Sequence, residues 1–164
     1  MKSFSKIRFN DPIKVQHIRA GKVIGEYLLH NDVVDVGINS LLDINFRNQT
    51  QIANWYLGLV DNAAFSAFAD ADTMSSHTGW AENTDYDEVT RPEWVTAAAA
   101  TRAISNSTTV DFTMNSTAAI KGIFITSNNT ISGTTGTLWA TAAFASVVNV
   151  VSADVFKITY TVSA

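Results

Sequence analysis

The chain has 164 residues, of which 46% are hydrophobic and only 16% charged, with a formal net charge of −4 and no cysteine. That length suits one domain, and size scaling places about 69% of the unfolded surface inside on folding, enough for a self-sufficient core. Lack of cysteine excludes disulfides, thiol nucleophiles and cysteine metal sites, and a pI near 5.2, with few basic residues interleaved among apolar ones, argues against direct nucleic-acid binding.

The opening MetLysSerPheSerLys has no apolar secretory core, and no apolar run has the length of a bilayer. The expectation is a soluble protein made in a cytoplasm, with no membrane partner. Charge is uneven along the chain. Residues 1–30 carry six basic and two acidic groups, whereas residues 61–93 hold eight acids and only Arg91 as a base. Two meanings stay open: a solvated acidic surface beside a basic strand edge, or a basic arm that docks on an acidic partner surface. A sparsely charged surface suits a protein packed against others.

Residues 1–12 read as a basic arm and 13–164 as one β domain, with AspPro at 11–12 as the break. IleLysValGlnHisIle at 13–18 and LysValIleGlyGluTyrLeuLeu at 22–29 flank ArgAlaGly and predict a hairpin. Over 32–46 the period changes. Val33, Val36, Leu41, Leu42 and Phe46 approach helical spacing, with Asn31 or Asp32 as the expected cap. Gly37 disfavours this helix by about 1 kcal/mol.

Residues 51–60 predict a buried strand that AspAsn at 61–62 ends. From about 62 to 103 no period persists. Such a long excursion is unusual in a compact domain, so short helical turns at 63–69 and an extended edge strand near 94–103 are expected within it. The rings of Trp55, Trp80 and Trp94 would anchor it by burial. Strands follow at 108–114, 119–126, 137–145 and 154–162, separated by polar turns. The fold class is mainly β: an antiparallel β-sandwich, jelly-roll-like, with one short early helix and a long anchored loop.

Motifs with a chemical mechanism are scarce. His17, His30 and His77 are far apart and match no zinc pattern. Asp72, Ser75 or Ser76, and His77 contain the residue types of a hydrolase triad, but neighbours in sequence seldom converge as nucleophile, base and orienter. Asp70, Asp72, Asp85, Asp87 and Glu88 offer oxygens for calcium without the glycine and closing glutamate of an EF-hand loop. The string GlyThrThrGly at 133–136 precedes a strand, so it is a turn and not a phosphate cradle. A carboxylate pair in an acidic, tryptophan-rich loop is the remaining enzymatic alternative, a glycan-binding or glycan-cleaving module. No catalytic residue, cofactor site or metal site is assigned.

Several stretches carry a family likeness: AsnAspValValAspValGlyIleAsnSerLeuLeuAspIleAsnPheArg at 31–47, TrpTyrLeuGlyLeuValAspAsn at 55–62, AspThrMetSerSerHisThrGlyTrpAlaGluAsn at 72–83, ArgProGluTrp at 91–94, and LysGlyIlePheIle at 121–125 with GlyThrLeuTrpAlaThrAlaAlaPhe at 136–144. Together they resemble small virion structural proteins of tailed bacteriophages. The resemblance implies a particle component. The expected function is a non-enzymatic capsid decoration (cement) protein on the virion surface. Its expected partners are the major capsid protein and copies of itself, a homo-oligomer such as a trimer. The alternative is a tail, collar or baseplate component that presents its sandwich to a receptor. The candidate contact residues are Lys2, Phe4, Lys6, Arg8 and Phe9 in the arm and Trp80, Tyr86, Arg91 and Trp94 in the excursion, with core packing as the competing role of each aromatic.

Overall fold

The computed structural model describes Phe9 and residues 12–163. Elements follow in the order β1 (Ile13–Arg19), β2 (Lys22–Leu29), β3 (Asp32–Val33), α1 (Asp35–Phe46), β4 (Tyr56–Asp61), β5 (Glu82–Asn83), β6 (Ala103–Ser105), β7 (Val110–Thr113), β8 (Ala118–Thr126), β9 (Leu138–Val150), β10 (Val155–Thr159) and β11 (Thr161–Ser163). A four-stranded sheet, β2-β1-β10-β7, packs on a five-stranded sheet, β3-β9-β8-β4-β5, and β11 and β6 form a separate pair. All pairings are antiparallel. The molecule is a mainly β, sandwich-like fold with one helix.

Alternation in the strands selects the inner face. Ile13 and Val15 of β1, Val110 and Phe112 of β7, and Phe156 and Ile158 of β10 point inward from the four-stranded sheet. Leu57, Leu59, Ile123, Ile125, Ala140 and Ala142 meet them from the other sheet. The β1–β2 hairpin turns at Ala20 and Gly21, with φ 49° and 75°. Positive φ at both central residues is the geometry of the turn that matches strand twist.

The five-stranded sheet is covered on its other face as well. Phe124 and Val60, out of phase with the inner residues, join Val34, Met74, Trp80 and Leu138 in a second cluster, with Phe65 and Phe68 against it. The aperiodic stretch 62–92 is therefore a third layer over the sheet. This explains why β8 reads as an unbroken apolar run: strands buried on both faces lose alternation. Gly58 makes room for the Phe124 ring, since a Cβ at 58 would lie 2.2 Å from its Cζ.

Several local expectations shift. The helix begins at Asp35, not 32, because Asp32 pairs with Thr141 in β3. Neither Asn31 nor Asp32 caps it: Val34 is the N-cap, without a side-chain bond, and the Asp35 amide reaches the Asp70 carbonyl at 2.8 Å. Asn31 is buried instead, its amide toward Phe9 O and its oxygen accepting from Tyr160 Oη. Residues 63–69 form turns and no helix, since the Ser66 and Ala67 amides both go to Gly79 O. Residues 95–100 run beside β6 as one arm of a hairpin, held by single bridges Thr96–Asn106 and Ala100–Ala103. The last expected strand splits at Tyr160, where the chain leaves β1 and β7 and joins β6 through β11. The Tyr160 amide bonds Asn106 Oδ1 at 2.8 Å at that switch.

β9 carries a wide irregularity. Gly122 pairs with Ala143 but Ile120 with Val148, so four residues of β9 oppose Lys121 alone. The Lys121 ammonium donates to Phe144 O at 2.7 Å and satisfies a carbonyl that the interrupted ladder leaves.

Candidate functional site

The described residues form a half-open groove of about 440 Å³, within the usual size range of ligand sites. One wall is α1, through Leu41 and Ile44; the other is the small β6–β11 sheet, through Ile104 and Val162. Trp55, Trp94 and Trp139 form the floor, Ile52 the lip, and Phe9 one end. Seven separate stretches of chain build it.

The tryptophans are held from beneath. Trp139 Nε1 donates to Tyr160 Oη at 2.7 Å, and Trp94 Nε1 donates to Tyr160 O at 3.2 Å. Buried indole N–H groups need such partners. Trp55 and Trp139 lie 5.9 Å apart between ring centroids, and Phe9 meets Trp139 edge to face at 5.7 Å. Segment 92–94 is laced to the start of β4 through Leu57 N to Pro92 O and Trp94 N to Trp55 O, which sets the floor beside the sheet. The helix comes close enough to wall the groove only because residue 37 is glycine: a Cβ there would lie 2.5 Å from Trp139 O.

Among the described residues no ionisable side chain lines the groove; its polar lining is Ser40, Asn45, Gln51 and Thr96. It can exclude water from an apolar group and offer amide and hydroxyl contacts at the rim.

Of the sequence-based candidates, Phe9 and Trp94 line this groove, and the other described ones lie elsewhere. Lys2, Phe4, Lys6 and Arg8 fall outside the described residues. Phe9 is half-buried against Trp139 at the groove's end. Trp80, Tyr86, Arg91 and Trp94 are buried in the chain's own interior, which matches the competing core-packing role of the aromatics, and Trp94 also lines the groove. Trp80 packs on Phe124 and donates its indole N–H to Asp72 at 3.0 Å. Tyr86 packs edge to face on Phe112; burial, with Glu82 beside it, pushes its phenol well above the ordinary value. Arg91 is 1% exposed, with its guanidinium on Glu82, Asn128 O and Gly133 O and over the Phe124 ring. A buried guanidinium making four hydrogen bonds to three residues ties layers together.

The triad residue types do not assemble. Asp72 accepts from Trp80 Nε1 and from the Ala69 amide, while His77 stacks on Trp80 at 3.9 Å and places Nδ1 3.1 Å from Trp80 O. Ser75 pairs with Thr73. Among the described residues no three His, Asp or Glu side chains converge as a metal-holding group. Three of the acids considered for calcium have other partners: Asp72 as above, Asp85 takes the Asn83 amide and Glu88 the Thr113 N–H.

A second ionic centre, missed in the sequence, joins the hairpin to the end of the chain. Asp154 accepts from His17 Nε2 at 2.8 Å and from Arg19 Nε and an Arg19 terminal nitrogen, both at 2.7 Å. The Val151 amide adds a fourth bond at 2.9 Å. The Arg19 hydrogen bonds outweigh burial and hold the Asp154 carboxyl far below the usual carboxylate range, with Val151 and His17 in support. His17 is buried, and nothing local to it pairs it with a residue so distant in sequence.

Comparison with protein-family models and with curated proteins finds no match for this chain. Among the described residues no helix is long and apolar enough to cross a membrane.

Proposed function

We propose that this chain is a non-enzymatic structural protein of a bacteriophage particle, a capsid decoration protein that bridges major capsid subunits and stabilises the shell. The observation that carries the reading is the chemistry of the groove: three tryptophans and aliphatic walls, with no ionisable group among the described residues. Such a site acts by removing apolar area from water. The particle assignment comes from the likeness of residues 31–47, 55–62, 72–83, 91–94 and 121–144 to small virion proteins. Low charge agrees with a chain used in many copies against neighbours. Protein interfaces of standard size bury about 1,600 Å², and repetition by capsid symmetry lets modest contacts resist internal pressure together.

The test is quantitative mass spectrometry of purified particles with a low-resolution map. A copy number matching the shell lattice supports the decoration role. A small number set by tail symmetry would move the protein to the tail, collar or baseplate. Absence from particles, or turnover of a glycan by the purified chain, would overturn the reading. Deleting residues 1–8 is expected to lower particle occupancy while leaving the melting temperature unchanged; full occupancy would remove the arm from the mechanism.

A further inference from the structure

Among its described residues, the four-stranded sheet leaves one cation without an opposite charge. Its other charged side chains are matched within the chain: Lys14 lies by Glu26, His17 and Arg19 hold Asp154, and Lys157 pairs with Asp111. Lys22 has no such partner among the described residues. It is exposed at the start of β2, the strand that ends the sheet, beside Val23 at 51% and Ile24 at 50% exposure. At the opposite edge, segment 85–88 runs along the end of β7, with Asp87 N donating to Thr113 O at 2.8 Å and Thr113 N to the Glu88 carboxylate at 3.0 Å. The exposed Asp87 carboxylate has no partner among the described residues, and Val89 close by is 92% exposed. Register puts the two sites at the ends of one row: Thr113 pairs with Val155, Val155 with Ile18, and Ile18 with Val23. Three strand spacings, about 14 Å, separate the edges.

We propose that the β2 edge of one copy docks on the 87–89 edge of the next, Lys22 on Asp87 and Val23 and Ile24 against Val89, so that copies join head to tail along the sheet. Charge selects the occupant. Lys22 and Asp87 are opposite in sign, each lacks a partner, and they lie level across the sheet, so displacement of a copy along the row brings one to the other. A two-fold join of either edge with itself would set like charges opposite each other, which is destabilising. The join is therefore heterologous, and it closes as a ring or continues as a filament. Its footprint is small. The eight residues of β2 give about 27 Å of strand edge, at the low end of interface size, so the free chain associates weakly and transiently. This inference concerns the isolated chain and does not depend on the particle.

The test is static light scattering and sedimentation of the full chain at millimolar concentration, at low ionic strength and in about 1 M salt, where the screening length is about 3 Å. Copies of net charge −4 repel one another overall, so non-specific association strengthens as salt is added. The proposed join behaves in the opposite way: attraction is expected at low salt and is lost at high salt. Lys22→Glu and Asp87→Lys are each expected to abolish it. Asp87→Lys replaces −1 by +1 and brings the net charge from −4 to −2, so its loss of attraction does not come from added repulsion. The double variant Lys22→Glu/Asp87→Lys keeps the net charge at −4, exchanges the two partners, and is expected to restore the attraction. Both positions are exposed, and circular dichroism checks that every variant folds. Val89→Ser leaves all charges in place and is expected to weaken the attraction. A chain without attraction at low salt, attraction that grows with salt, or a double variant as weak as the single ones overturns the proposal. Loss of attraction on deleting residues 1–8, with no effect of Lys22→Glu, would give the acidic edge to the arm and overturn it too. A chain without self-attraction that still decorates particles would sink the head-to-tail join and leave the particle reading standing.

Discussion

Arg91 holds Glu82 in a two-pronged ion pair, Nε to Oε1 and a terminal nitrogen to Oε2, both at 2.8 Å, with the two side chains 1% and 7% exposed. The same carboxylate accepts the Ser132 amide at 2.6 Å. One buried contact therefore fastens the third layer, the 128–133 turn and the edge strand β5 to one another.

Removing one partner of such a pair leaves an uncompensated buried charge. Arg91→Ala is expected to cost about 3–5 kcal/mol, read as a lower urea midpoint. Arg91→Lys should recover only part of this, because a point charge does not reproduce the planar fork. A midpoint for Arg91→Ala within error of the wild type would show that the pair contributes nothing net.

Asp154 predicts a pH dependence of fixed sign. Its folded carboxyl sits below the unfolded value, with the Arg19 bonds as the largest cause. The stabilisation is therefore complete above a pH of about 4, the unfolded carboxylate value, and is lost progressively as the medium becomes more acid. Asp154→Asn should be clearly less stable than the wild type at neutral pH, and the gap should narrow steadily below that point. Urea titrations across the acid range measure it. A gap that stayed constant with pH would refute the charge-based account.

Gly37→Ala separates local from tertiary preference. Helix propensity alone favours alanine by about 1 kcal/mol. The new Cβ would meet the Trp139 carbonyl at 2.5 Å, a backbone atom with no room to yield. Overpacking of this kind costs about 1–3 kcal/mol, so the melting temperature is expected to fall. The groove should be disturbed as well, visible as a shift in tryptophan fluorescence.

Trp80→Phe keeps an aromatic ring but deletes the donor to Asp72, a buried carboxylate. Leaving such an acceptor short of a partner costs about 1–3 kcal/mol. The loss should concentrate in residues 62–92, as faster proteolysis and hydrogen exchange there, while the strands β1 and β10 stay protected.

Much of the sandwich was legible residue by residue. Alternation located β1, β2, β7 and β10 because one face of each meets the core and the other meets solvent or edge polar groups. ArgAlaGly announced the first hairpin, and the apolar spacing around Leu41 announced α1. The excursion was legible only as an absence of period: its aromatics were correctly expected to anchor it, yet their direction was not readable. Trp80 and Arg91 turn inward because the outer face of β8, at Phe124, is apolar and needs a cover. Nothing local to Trp80 records that.

The groove was the least visible feature. Leu41, Ile52, Trp55, Ile104 and Val162 are ordinary apolar residues in their own segments, and Phe46 looked like one more member of the helix's apolar set. By itself the sequence determined the strand-rich class, the early helix, the first hairpin turn and the lack of thiol chemistry, because each follows from side-chain periodicity, turn stereochemistry or composition within a few residues. Tertiary structure alone decided that 62–92 forms a third layer, that Asp154 meets His17 and Arg19, and that Phe46 faces water while Leu41 faces a groove. Those outcomes depend on which distant surface covers a residue, and burial against a distant surface leaves no mark on the local pattern.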